Sequence, residues 1–312
     1  MSTFAGILAG KVETYIELRH SLGYSFKKQA GTLRAFARYV ESEQLDGPLT
    51  RRIALGFVLS FDGAPNGRAT RHGVLRRFCE YLAVHDARTE GLDRRAFPRS
   101  RAIPPARILS DDELTALIVA CGRLSPTRPY RGRMLTALVG LLASTGLRSG
   151  EALRFDRADV DLGDGDGVLH IRMTKFRKDR LVPVHATTLA ALRQYAHERD
   201  AAFPTPKDHG FFLSSRGCRL SPSGLQGAFG AACKLAGLDN DRPLRPHDLR
   251  HRFAVTRLAT WYRENADVQA MLPLLATYLG HAHYSDTAYY VTGTADLLGM
   301  AADRAFTGGD AS

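Results

Sequence analysis

Cysteine is scarce in this chain and unpatterned: four residues in 312, at 79, 121, 218 and 233, with no CxxC pair and no metal-ligand spacing. That excludes a disulfide scaffold and the usual thiolate zinc sites, and it fits a reducing compartment. Long apolar runs are missing too; none approaches the roughly 18–20 residues that span a bilayer. The opening MSTFAGILAGKVETYIE has only a short apolar stretch and no basic leader of the secretory kind. No GxxxxGKS or GxxxxGKT loop cradles nucleotide phosphates, and no carboxylate cluster suggests a pair of magnesium ions. These absences lead us to expect a cytoplasmic protein without ATP, metal or other cofactor and without a membrane partner.

Negative charge is also in short supply. Lys and Arg number 43 against 32 Asp and Glu, a net charge of +11. The imbalance is uneven, because residues 1–105 hold 17 basic and 10 acidic side chains. A basic N-terminal third suits a polyanion such as nucleic acid.

Helical periodicity fills the first 92 residues. It runs through 4–23, 27–45, 50–61 and 68–86, with a stripe of Leu33, Phe36, Ala37 and Val40 and with Thr50 as an N-cap. In the fourth segment Val74, Leu75, Phe78 and Leu82 form the buried face, and Arg71, Arg76 and Arg77 are expected to point outward. Residues 93–105 are basic, proline-containing and aperiodic, and read as a linker; Arg94, Arg95, Arg99 and Arg101 there can follow a phosphate backbone. A second domain, 106–312, opens with SDDELTALIVACG, where Ser110 and Glu113 have capping-box spacing. It continues with a buried helix over 131–146, strands over 168–173 and 180–184, a short strand over 210–215, and helices over 221–237, 245–262 and the stretch beginning DVQAML. The fold class is therefore mainly α with a small β-sheet, in two domains: an N-terminal helical bundle and a C-terminal α+β domain.

Five stretches of the second domain carry chemistry. TGLRSGEAL sets Arg148 three residues before Glu151; TKFRKDRLVPV lifts Lys175 toward the tip of a hairpin. RPHDLRHRF places His247 and Arg250 one turn apart at a helix start that attracts anions. The i,i+4 pair His247 and His251 also has the spacing of zinc ligands on a helix. LGHAHYSDTAYY supplies His281 and, nine residues later, Tyr290, with His283, Tyr284 and Tyr289 nearby.

Arg in TGLR, Lys on a hairpin, HxxR, LGH and a tyrosine nine residues on occur here in the order of the tyrosine recombinases, and the chain resembles that phage integrase family over nearly its whole length. The wording LPLLATYLGHAHYSDTAYY is similar to members encoded by transposons and other integrated elements. The resemblance implies that 1–92 is a core-binding, SAM-like domain on DNA and that 106–312 is catalytic. It implies a site-specific recombinase acting in DNA integration, transposition or resolution through a 3′-phosphotyrosine intermediate. Tyr290 would be the nucleophile; Arg148, Arg250 and His281 would neutralise the phosphate, His247 would take the phenol proton, and Lys175 would protonate the leaving 5′-oxygen. Glu151 would orient His247 or Arg148. The implied partner is double-stranded DNA with inverted repeats, bound by a dimer that assembles into a tetrameric synapse. Chemistry alone leaves Tyr289 open as nucleophile. Two other readings also stay open: a catalytically silent DNA-binding protein of the same fold, and a zinc hydrolase using HDLRH.

Overall fold

The structure, a computed structural model, describes residues 3–63, 65–97, 106–125, 127, 129–163, 167–172, 179–240, 242–281, 287, 290 and 299. The chain divides into two compact units, Met1–Pro104 and Pro105–Ser312.

The first unit is built from α1 (Thr3–Ser21), α2 (Lys27–Ser42), α3 (Arg51–Leu59) and α4 (Pro65–Ala83). Its core forms where the apolar stripes meet: Ile16 of α1, Leu33 and Phe36 of α2, Val58 of α3, and Leu75 and Phe78 of α4 are all buried. Each large side chain so enclosed contributes about 1.5–3 kcal/mol. Thr50 caps α3, its hydroxyl accepting from Ile53 N at 3.3 Å. The arginines expected to point outward divide. Arg77 is exposed, but Arg71 and Arg76 are half-buried: the Arg71 guanidinium lies 3.7 Å over the Phe61 ring, and Arg76 pairs with Glu80.

The second unit begins with α5 (Asp111–Gly122). The expected capping box forms there, Glu113 N donating to Ser110 Oγ at 3.1 Å and Ser110 N to Glu113 Oε2 at 2.9 Å. α6 (Pro129–Thr145) buries residues on most of its circumference, including Leu135, Leu138, Val139 and Leu142, and is the centre of this unit. After the single turn α7 (Ser149–Ala152) come β1 (Gly167–Ile171) and β2 (Arg180–Val184), antiparallel, with Gly167 opposite Val184 and Ile171 opposite Arg180. Leu169, Ile171, Val182 and Val184 turn inward. α8 (Ala186–Ala202), α9 (Pro222–Leu235), α10 (Pro246–Arg263) and α11 (Val268–Leu279) follow, and a 3-10 turn, Arg157–Asp159, precedes β1. Among the described residues no helix is long and apolar enough to cross a membrane.

Two departures from the sequence reading have local causes. Residues 210–215 form isolated bridges, Asp156 with Gly210 and Leu213 with Arg219, rather than a strand. Side chains of α8 stand in for a neighbouring strand: Phe211 O accepts from Arg199 Nε at 3.0 Å and Tyr195 Oη at 3.2 Å, and Leu213 N donates to Tyr195 Oη. α8 itself was not expected. Its N-cap is a histidine, His185, whose Nδ1 accepts from Thr187 N, and that is not among the residues that usually announce a helix.

Candidate active site

The site is organised by the end of a helix. α11 is capped at its start by Asp267, whose carboxylate accepts from Ala270 N, and at its end by Gly280, whose φ of 68° is left-handed. A helix leaves its last carbonyls without intrahelical donors, and its C-terminal end is partially negative. Three arginines satisfy them here. Tyr278 O accepts from Arg180 Nε at 3.0 Å. Leu279 O accepts from Arg250 Nη2 at 2.9 Å and Arg180 Nη2 at 3.3 Å. Gly280 O accepts from both terminal nitrogens of Arg148 at 3.2 Å.

Each arginine comes from a different element. Arg148 is the N-cap of α7, just after Gly146 ends α6 with a φ of 63°. A Cβ at Gly146 would come within 2.5 Å of the Phe253 ring, so α6 and α10 approach closely only because this position is glycine. Gly146 O in turn accepts from Arg250 Nη1 at 2.8 Å. Arg180 enters from β2, and Arg250 from the second turn of α10, with Pro246 at the start of that helix. Asp248 is buried as the capping carboxylate of α10, bound by Arg245 N at 2.8 Å and Arg245 Nη2 at 2.8 Å.

Glu151 couples two of the three. Its carboxylate accepts from Arg148 N and Nη1 and, at 3.1 Å each, from both terminal nitrogens of Arg180. Burial pushes its pKa up, but Arg180 and then Arg148 outweigh this and hold it below 4.5. Three guanidinium groups thus gather around one carboxylate that bonds two of them, and the surplus is positive. Arg250, 1% exposed, has its pKa pushed down to about 10 by burial and then by Arg148, so it stays charged at neutral pH. Arg148 is the most accessible, its side chain 37% exposed.

Against this cluster lies the Tyr290 ring, 4% exposed, its phenol favouring the charged form of Arg250. Two histidines flank the ring: His281 stacks at 6.0 Å between centroids and 23° between planes, and His251 meets it edge-on at 5.4 Å. His251 also packs perpendicular to His247, centroids 4.7 Å apart. Although His247 keeps exposed surface, desolvation by the surrounding protein, then His251 and Arg250, lowers its pKa to about 4. It is therefore neutral at pH 7 and able to accept a proton. His281 Nδ1 is 2.6 Å from the hydroxyl of Thr287, which is fully buried. Among the described residues no three His, Cys, Asp or Glu side chains gather as a metal site.

Arg148, Glu151, His247, Arg250, His281 and Tyr290 therefore share one place. Lys175, Arg99, Arg101, His283, Tyr284 and Tyr289 lie outside the described residues. Arg71, Arg76, Arg77, Arg94 and Arg95 belong to the first unit, the last three exposed. Sequence reasoning missed Arg180 and Thr287, and it offered His251 only as a zinc ligand. Only His251 left a signal, its i,i+4 spacing from His247, and that spacing suggested a metal pair instead of a packed one.

The sequence model of the phage integrase family matches residues 107–296. The chain is 69% identical over 312 residues, all of both chains, to the protein named "Putative integrase/recombinase y4rE" in Sinorhizobium fredii (strain NBRC 101917 / NGR234). It is 37% identical to y4rB of the same strain, over 97% of each chain. Its fold is similar to that in the crystal structure of a lambda integrase tetramer bound to a Holliday junction: TM-score 0.60, 17% identity, 90% of this chain and 76% of that one.

Proposed function

Because the chain belongs to the phage integrase family of tyrosine recombinases, we propose that it cuts and rejoins DNA strands at specific sites, with Tyr290 as the attacking group. The observation that carries this reading is the pairing of the buried Tyr290 with Arg250 inside a cluster of surplus positive charge.

The chemistry follows from that pairing. The Tyr290 oxygen attacks a backbone phosphorus, forming a 3′-phosphotyrosine ester, while the bond to the 5′-oxygen breaks. Negative charge grows on the two non-bridging oxygens; Arg148 and Arg250 neutralise it, and His281 donates a hydrogen bond to it. The planar fork of each arginine matches two phosphate oxygens. A phenol titrates near pH 10, so its proton must be drawn off. The guanidinium beside it favours the phenolate, and neutral His247 accepts the proton. By family resemblance Lys175 returns a proton to the departing 5′-hydroxyl. That hydroxyl later attacks the matching ester on the partner strand and releases its tyrosine, so the broken bond is stored and no ATP is needed. Side chains supply every charge and proton in the scheme, so no metal is called on.

The first unit and the linker supply phosphate contacts through Arg77, Arg94, Arg95, Arg99 and Arg101, with Arg71 and Arg76 contributing where they leave Phe61 and Glu80. Such contacts position the protein and carry little sequence information. We extend to this chain a dimer on inverted repeats and a tetrameric synapse, in line with the lambda integrase tetramer.

The test is covalent capture. A pool of duplexes with randomised cores, nicked so that cleavage releases a short fragment, traps the ester on a denaturing gel. A protein–DNA band is expected in EDTA, retained in Tyr289→Phe and lost in Tyr290→Phe. Capture by Tyr290→Phe overturns the nucleophile, and no capture by the unsubstituted protein favours a silent DNA-binding role.

A further inference from the structure

Tyr290 lies between two histidines whose Nδ1 atoms differ. That of His251 is buried and has no hydrogen-bond partner among the described residues. That of His281 meets the hydroxyl of Thr287 at 2.6 Å. Thr287 is 0% exposed, so water does not compete for this hydroxyl, and the contact is at the short end of side-chain hydrogen bonds.

A neutral imidazole carries one proton, and the hydrogen bond on one nitrogen decides which nitrogen holds it. A phosphodiester offers only acceptors at neutral pH. For His281 to serve it, the proton must sit on the nitrogen turned away from Thr287. We propose that Thr287 is a positioning residue: its hydroxyl donates to His281 Nδ1 and fixes the tautomer in which Nε2–H donates to a non-bridging phosphate oxygen. This rests on the recombinase reading only for its last step. The tautomer itself is a property of the protein without DNA.

The same hydrogen bond sets the ring's tilt. His281 follows Gly280, whose left-handed conformation ends α11, and its own backbone N–H returns to Ala276 O at 2.9 Å. Anchored at its backbone and at Nδ1, the ring stacks on Tyr290 at 23° between planes. One hydroxyl therefore aligns the phosphate donor with the attacking tyrosine.

The experiment uses the full-length protein labelled with nitrogen-15 histidine, His281 being assigned by its loss in His281→Gln. The imidazole nitrogen spectrum is expected to show Nε2 protonated in the unsubstituted protein, a mixture of tautomers in Thr287→Val, and recovery in Thr287→Ser. The His251 signals serve as the internal standard and should hold still. On the nicked duplex selected from the pool, Thr287→Val should slow covalent capture by roughly ten- to a hundred-fold, the range seen when the orienting partner of a metal-bound histidine is removed. DNA affinity should be retained, and Thr287→Ser should restore the rate. Protonation on Nδ1 in the unsubstituted protein, or an unchanged His281 spectrum in Thr287→Val, overturns the proposal. So does a Thr287→Ser variant as slow as Thr287→Val. If the unsubstituted protein captures no DNA, the recombinase reading fails separately, and the spectra alone decide the role of Thr287.

Discussion

Glu151 grips Arg180 through two parallel hydrogen bonds of 3.1 Å, and Arg180 reaches past it to the carbonyls of Tyr278 and Leu279. The carboxylate is 4% exposed. Removing one partner of a buried pair leaves the other charge uncompensated, at a cost of about 3–5 kcal/mol. Glu151→Gln should therefore lower stability by an amount in that range, measured by urea unfolding. Arg180→Gln added to it should cost less than the two single effects together, because the pair acts as one unit. Additive losses would show that the contact contributes little.

Gly280→Ala tests the turn that ends α11. A non-glycine residue in the left-handed region costs roughly 1–2 kcal/mol. Here the new Cβ would also lie 2.6 Å from Arg180 Nη1. Gly237 is the control, with a φ of 67° and nothing within 4 Å of its Cβ. Gly237→Ala should show the conformational cost alone, and Gly280→Ala that cost plus the collision, with a matching loss of covalent capture. Equal losses in thermal unfolding would mean that Arg180 moves aside freely.

The acid limb of cleavage carries the signature of His247. Its free-protein pKa is lowered from 6.5 to about 4, so the proton-accepting form persists well below neutral pH. The apparent kcat/KM reports the free enzyme's essential base and should fall only as pH drops through about 4. A limb centred at 6.5 would remove His247 from that role. The sign for stability is the same: a depressed folded pKa contributes stability above pH 6.5 that is lost as pH falls toward 4. Glu151, its pKa lowered from 4.5, adds a loss as pH falls below that value.

Arg250→Lys keeps a charge but loses the fork that bridges Gly146 O and Leu279 O. Loss of one transition-state donor typically slows an enzyme by about 10²–10³, and a drop of that size is expected in single-turnover capture. Retained DNA affinity by fluorescence anisotropy would place the loss in the chemical step; affinity lost to the same degree would make Arg250 a binding residue only.

In the first unit, Arg77 is exposed while Arg76 is already paired with Glu80. A direct phosphate contact contributes close to one unit to the slope of log affinity against log salt. Arg77→Gln should reduce that slope by about 1 and Arg76→Gln by less. An unchanged slope in Arg77→Gln would take this face off the DNA.

The helical frame was legible because its signals are local. Ser110 and Glu113, Thr50, and the Phe36 and Phe78 stripes each act within a turn or two of chain. The site was legible only in part. Arg148, Glu151, His247, Arg250, His281 and Tyr290 announce themselves through motif spacing, whereas Arg180 reaches Tyr278 O across 98 positions, which no local pattern encodes. α8 escaped notice because a histidine caps it, and the 210–215 segment misled because tyrosine and arginine side chains take the place of a strand.

The three arginines of the site hold α11 by its peptide oxygens at 278, 279 and 280, and every residue type presents the same oxygen. The arginines are thus answerable to a backbone rather than to particular neighbours. Tyr278 can drift in identity without unseating them, whereas Leu279, 1% exposed, is held by its packing. Glycine 280 is the exception, because there the turn itself sets the direction of the carbonyl. Relatives that keep this arrangement should therefore vary at position 278 while holding the leucine and glycine that follow it.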